Sequence, residues 1–199
     1  MVNGFEKRAQ KIKEKLIHTT LDLLSMMEPR NIRISDIANQ ANVSQVTIYN
    51  HFGSKEDLIK ESLKTFYLQS INEFEVLIKD KDRSFQETIE LMMFYKKETI
   101  QKYSTSKLQE YLLQDPEVKN FVEEIYTNRT LPLMIELIDN AKEKGEIQRD
   151  IPHSLIMFYL DIFKEKAEEF ANLSKTYESE EKFVEDMMNL FFYGVAGKG

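Results

Sequence analysis

The chain contains no cysteine, and only 6 Gly, 4 Pro and 3 His in 199 residues. Without cysteine there are no disulfides and no thiolate metal site, and a reducing cytoplasm is the natural setting. His18, His51 and His153 are isolated, with no His-Glu-x-x-His and no paired Glu-x-x-His to build a metal site in a helical bundle. A glycine-rich phosphate loop and a Gly-x-Ser-x-Gly elbow are also missing. No catalytic residue, cofactor or metal is therefore expected. No apolar run approaches the roughly 20 residues that cross a bilayer. The first residues are charged and lack the apolar core of a signal peptide, so no membrane partner is expected. Scarce Gly and Pro beside abundant Leu, Ile, Lys and Glu imply an all-α chain.

The net charge is −7, which at first argues against a polyanionic partner. Its distribution argues otherwise. Residues 1–60 hold nine Lys and Arg against seven Asp and Glu, a net of +2, while the remainder holds 18 against 27, a net of −9. Screening confines each charge to about 8 Å at physiological salt, so a basic head works independently of an acidic body. Lys7, Arg8, Lys11, Lys13 and Lys15 cluster on the first predicted helix and suit long-range attraction to phosphate.

Residues 33–59 carry the most information. Ile34, Ile37, Ala38 and Ala41 recur at helical spacing and form one buried stripe. Ala41, Asn42 and Val43 make a three-residue turn whose middle residue tolerates left-handed geometry. Ser44 then has the chemistry of an N-cap for a second helix over residues 45–52. Ile48 and Phe52 form the inward side of that helix. Gln45, Val46, Thr47, Tyr49 and Asn50 are left to face outward, and none is acidic. Gln and Asn bond bidentately to adenine, and Val and Thr contact the thymine methyl, so this surface suits a major groove. Two short helices around a tight turn are the layout of a DNA-binding helix-turn-helix. A plain helical hairpin with a solvated face would read alike in periodicity alone.

The order of residues adds to this. Ile37, Ala38, Ala41, Val43, Ser44, Thr47, Ile48, Tyr49, Phe52, Ser54, Lys55 and Leu58 resemble the signature of the TetR family of bacterial transcriptional regulators over about the first 60 residues. Asn42 departs from the usual glycine, and Arg33 from a capping Thr or Ser, leaving Ser35 to cap the first helix or its start ragged. The resemblance implies a helix-turn-helix DNA-binding domain over residues 1–53 and a helical effector-binding and dimerisation domain over 54–199. Helix 54–79 would connect the two, and about nine helices are expected. The implied partners are a double-stranded DNA operator with an inverted repeat and a second copy of the chain. Arg33, Ser44, Gln45, Val46, Thr47, Tyr49, Asn50, His51 and Lys55 are the expected DNA-contacting set, with Thr47, Tyr49 and Lys55 also on phosphate.

Further along, Ser54 to Asp57 form a capping-box-like start to helix 54–79. Ser84 caps a helix to about 102, and a short one follows to 114. Asp115 and Pro116 start a helix to about 144, kinked by Pro132. Helices over about 152–173 and 179–193 complete the chain. Eight of the nine residues from Leu155 to Phe163 are apolar, and the last helix carries two adjacent stripes. That is more than one buried face requires. Leu155, Tyr159, Phe163, Phe183, Met187, Leu190 and Phe191 are accordingly expected at a two-fold interface; the middle of a large monomeric bundle would also account for them.

Met93, Tyr95, Tyr111, Tyr126, Arg129 and Phe158 are candidates to line a site for a small apolar or amphipathic effector. The ordinary alternative is that the aromatics and Met are core, and that Arg129 pairs with Glu90 or Glu98. The function read from the sequence is a ligand-responsive repressor. The alternatives are a regulator without an effector and a helical adaptor that binds another protein.

Overall fold

The computed structural model describes residues 4–94 and 106–194 of the protein. Among these the regular elements are helical. They are α1 (Gly4–Met26), α2 (Ile34–Ala41), α3 (Gln45–Phe52), α4 (Lys55–Ile78), α5 (Phe85–Phe94), α6 (Ser106–Gln114), α7 (Pro116–Ile125), α8 (Leu131–Glu143), α9 (His153–Glu165), α10 (Ala167–Ser174) and α11 (Glu180–Tyr193). No described helix is long and apolar enough to cross a membrane. The helices form two compact units, Met1–Asn72 with Lys97–Thr127 and Glu73–Lys96 with Asn128–Gly199. This division follows packing, not the order of the chain.

The first unit is built on Leu16, Leu21 and Leu24 of α1, Ile37 of α2, Ile48 of α3 and Leu58 of α4, each fully buried. Burying one such side chain stabilises by about 1.5–3 kcal/mol, so these contacts hold short helices that would not persist alone. Thr20 is tolerated inside because its hydroxyl donates to the Leu16 carbonyl at 2.8 Å. Leu108, Tyr111 and Leu112 of α6 and Val118 of α7 complete the same core. Helix α6 packs directly on α1.

Local chemistry sets the helix ends. Arg33 is the N-cap of α2, and its N–H donates to the Asp36 carboxylate at 3.1 Å, so the start is neither ragged nor capped by Ser35. Asn42 has φ 51° and ψ 51°, the left-handed residue the turn needs. Ser54 and Asp57 bond side chain to side chain at 2.6 Å, starting α4. Ser84 and Glu87 form a reciprocal capping box on α5. The Asp115 carboxylate accepts from Glu117 and Val118 N–H at the start of α7.

Two of the nine expected helices are broken. The chain from 116 to 144 is interrupted by a π turn at Tyr126–Thr130, which precedes Pro132. Pro132 offers no N–H, and its ring crowds the carbonyl four residues back, so the helix widens there instead of simply kinking. The chain from 152 to 173 is broken at Lys166, whose φ −94° and ψ 10° leave helical geometry. The expected helix to residue 102 is described only to Phe94.

The second unit packs α5 against α8 and α11. Its core holds Phe85, Ile89, Leu133, Met134, Leu137, Ile138, Ala141 and Ile156. Phe85 and Phe192 meet edge to face at 6.1 Å. The Lys144 ammonium donates to the Lys81 carbonyl at 3.1 Å, tying the end of α8 to the connection before α5.

An ionic cluster joins α4 to α7 in the first unit. Lys60 and Lys64, one turn apart, donate to the two oxygens of Glu117 at 2.9 and 2.7 Å. Lys64 also lies 5.5 Å over the Phe121 ring. The hydrogen bond from Lys60, then that from Lys64, lowers the Glu117 pKa from 4.5 to about 2. A depressed carboxylate contributes stability above its unfolded pKa and loses it as pH falls through the folded one. The cluster should thus support the first unit above about pH 4.5 and fade toward pH 2. Glu117→Gln should lower the melting temperature at pH 7, with the gap to wild type closing below pH 4 and shrinking in high salt. A gap independent of both pH and salt would show that the charges of the cluster contribute nothing.

Candidate nucleic-acid interface

Helix α3 presents one face of eight residues and hides the other. Ser44 caps it, its Oγ accepting from Thr47 N–H at 3.1 Å and lying 2.8 Å from the Thr47 hydroxyl. Gly53 at φ 80° takes the chain away from its end, a conformation that any side chain would strain. Ile48 is the only residue of α3 that is fully buried. Gln45, Val46, Tyr49 and Asn50 are exposed, Val46 at 65% and Tyr49 at 49%. Two large apolar surfaces held in water by a helix with no acidic residue form a surface shaped for contact.

The other expected contacts divide. Arg33 is exposed at the α2 cap. Thr47 and His51 are half-buried, His51 with its ring centroid 6.4 Å from that of Phe52. Ser44 and Thr47 are already engaged with each other. The Lys55 ammonium turns inward, donating to the Ile32 carbonyl at 3.1 Å and the Pro29 carbonyl at 3.5 Å. On α1, Lys7, Arg8, Lys11 and Lys15 are exposed, whereas Lys13 is half-buried, 3.2 Å from Glu61 and 5.7 Å over the Phe52 ring. Sequence reasoning took Lys13 as one of a basic cluster. Its partners lie 39 and 48 residues away, and nothing local signals them.

The expected effector residues are also dispersed. Tyr111 is buried in the first core, and burial, followed by the Glu28 charge, raises its phenol pKa. Tyr126 is half-buried on the π turn. In the second unit, Met93 packs against the core as a partly buried side chain. Arg129 donates through Nε and Nη2 to the Glu75 carboxylate, a partner on α4 and not Glu90 or Glu98. That contact, after the stronger one from Lys79, lowers the Glu75 pKa. Tyr95 lies outside the described residues.

Phe158 is 62% exposed and so lines no interior of its own unit. It belongs instead to a surface stripe on α9 with Leu155, Tyr159 and Ile162, all exposed and spaced three and four apart. Tyr159 joins the stripe to α11, its ring 4.8 Å from that of Phe191 and its hydroxyl donating to the Phe191 carbonyl. Leu190 is exposed beside it in sequence. Phe183 and Met187, expected at the interface, are buried, and Phe191 is half-buried. The Phe163 side chain lies outside the described residues.

With this geometry in place, the comparisons with known proteins are informative. Residues 16–62 match the family of bacterial regulatory proteins designated tetR. No curated protein matches the sequence. The fold is similar to that of FadR from Bacillus subtilis in complex with stearoyl-CoA, with a TM-score of 0.66 and 19% identity over 92% of this chain and 98% of that one. It is similar to the fatty acid degradation regulator FadR from Bacillus halodurans, at 0.68 and 16% over 94% and 97%. A tetR-family transcriptional regulator from Streptomyces coelicolor gives 0.61 and 13% over 92% and 79%. The fold is thus shared with these solved structures over nearly the whole chain.

Proposed function

We propose that the protein is a homodimeric repressor that reads an inverted-repeat operator with α3 and releases it when an apolar or amphipathic effector binds. The observation that carries the reading is the exposed, acid-free face of Gln45, Val46, Tyr49 and Asn50 on a helix capped at one end and turned sharply away at the other. A face of this kind offers amide groups to adenine and apolar surface to thymine methyl groups. The exposed lysines and arginine of α1 add phosphate attraction without sequence information.

Dimerisation follows from the α9 stripe. Leu155, Phe158, Tyr159 and Ile162 would be a liability on a monomer, and a two-fold axis buries the stripe against itself. Such a dimer carries two copies of α3, and an inverted-repeat operator offers them major grooves about one turn of DNA or more apart. The effector is the third part of the reading. A neighbouring fold binds stearoyl-CoA, which favours an acyl chain as the apolar component. In the first unit α6 and α7 share a core with α1 to α4, so a ligand that shifts them repacks the reading unit directly. It must bind the DNA-incompetent state more tightly, since equal affinity shifts nothing.

Three outcomes are expected. A duplex selected by the protein from random sequence should lose affinity and discrimination when Gln45 or Asn50 is changed to Ala, by about 1–3 kcal/mol per lost bidentate contact. Equal loss on every sequence would remove α3 from base reading. Leu155→Asp combined with Ile162→Asp should give folded monomers in sedimentation, with operator affinity sharply reduced; intact dimers would place the interface elsewhere. Stearoyl-CoA titrated into the complex should release the DNA, and by linkage the DNA should weaken stearoyl-CoA binding by the same factor. Release without that reciprocal change would argue for simple competition at the DNA surface.

A further inference from the structure

Helix α3 carries neither an arginine or lysine nor an aspartate or glutamate. In the major groove an arginine or lysine is the usual bidentate partner of guanine, and a carboxylate accepts from the cytosine amino group. Both members of a G·C pair therefore lack their usual partner on this helix. What the helix exposes fits the other pair. Gln45 and Asn50 are exposed, and each side-chain amide donates and accepts at once, which matches the N7 acceptor and N6 donor of adenine. Val46 is 65% exposed and stands one turn before Asn50 on the same side of the helix. An apolar side chain next to an amide is complementary to a thymine methyl next to the adenine edge. The other polar groups leave this balance unchanged. The Ser44 and Thr47 hydroxyls lie 2.8 Å apart, and a hydroxyl does not distinguish the pairs. His51 is half-buried, its ring centroid 6.4 Å from that of Phe52, which packs on the core. Arg33 and the exposed cations of α1 are carried by other elements.

We propose that α3 reads a half-site core made of A·T pairs, in which Gln45 and Asn50 bond to adenines and Val46 packs on a thymine methyl, and that any G·C pair of the half-site is specified outside α3. The proposal rests on the DNA-binding reading above and adds the class of sequence recognised. Two physical differences enforce it. Guanine presents two acceptors, N7 and O6, where adenine presents an acceptor and a donor. An amide placed there sets its own carbonyl against an acceptor, and turning the amide over only moves the mismatch to the other atom. Cytosine lacks the methyl that thymine carries at C5, so a Val46 contact is also lost on a G·C pair.

The test uses the full-length protein and duplexes selected from random sequence, at one salt concentration, by the wild type and by Gln45→Ala, Val46→Ala and Asn50→Ala. The positions at which a variant loses preference are those that α3 reads, and all of them should be A·T pairs. A G·C pair among them, or no shifted position at all, would overturn the proposal. The three side chains are exposed, so truncating them leaves the core of the unit in place. A readout on the unaltered protein covers the case in which a variant does not fold. Thymines of the selected half-site are replaced one at a time by deoxyuridine, which removes a methyl and keeps every hydrogen bond. One replacement should weaken wild-type binding about three- to five-fold, as burial of a single methyl group implies. Val46→Ala should bind the thymine and deoxyuridine duplexes within about two-fold of each other. A wild type indifferent to every replacement would overturn the proposal, and so would a Val46→Ala variant that keeps the full difference. A wild type that selects no duplex would remove the regulator reading and this inference with it. One that selects a duplex with G·C pairs at the positions α3 reads removes this inference alone.

Discussion

The presentation of α3 depends on the burial of Ile48. Eight residues of helix are too few to persist in water, because nucleation costs more than so short a ladder returns. Ile48 is fully buried among α1, α2 and α4 side chains, and Phe52 packs beside it. Everything the helix shows to solvent is oriented by that one insertion, by the Ser44 cap at its start and by the exit through Gly53 to Lys55. Truncating Ile48 would do more than leave a cavity. It would release the fully buried anchor of the face that carries Gln45, Val46, Tyr49 and Asn50.

The core beneath α3 draws on distant parts of the chain. The first core is assembled from α1 to α4 and also from Leu108, Tyr111, Leu112 and Val118, residues 40 or more positions further along the chain than Phe66, the last core residue of α4. The reading helices are therefore packed on parts of the chain that a linear division would assign to the sensor. Lys60 and Lys64 reinforce this from the surface by gripping Glu117 at the start of α7. Any change that moves α6 or α7 acts on the core of the reading unit without an intermediary.

How much of this was legible in the sequence follows from range. The turn at Asn42, the Ser44 cap, the Asp115 cap and the apolar stripe of α2 are short-range effects, decided within four residues, and the structure has them where periodicity and capping chemistry put them. The failures are of two kinds. Pro132 announced a disturbance, but whether a helix kinks or widens to a π turn depends on how the surrounding helices accommodate the lost hydrogen bond. Side-chain partners were the other kind: Lys55 with Ile32, Lys13 with Phe52 and Arg129 with Glu75 are separated by 23, 39 and 54 residues. The sequence signalled a charge at each position and not the partner that the fold brings to it. Phe183 and Met187 show the same limit for apolar stripes, since Met188 of the adjacent stripe is buried too while Leu190 of their own stripe is exposed.

The central claim is that two copies of α3 read one face of a duplex. Hydroxyl-radical footprinting of the wild-type protein on a selected duplex tests it most directly. The account predicts two symmetric protected patches about one helical turn or more apart on the same side of the DNA, abolished together when the α9 stripe is disrupted. A single patch that survives as a monomer footprint, or protection spread evenly over any duplex, would contradict it.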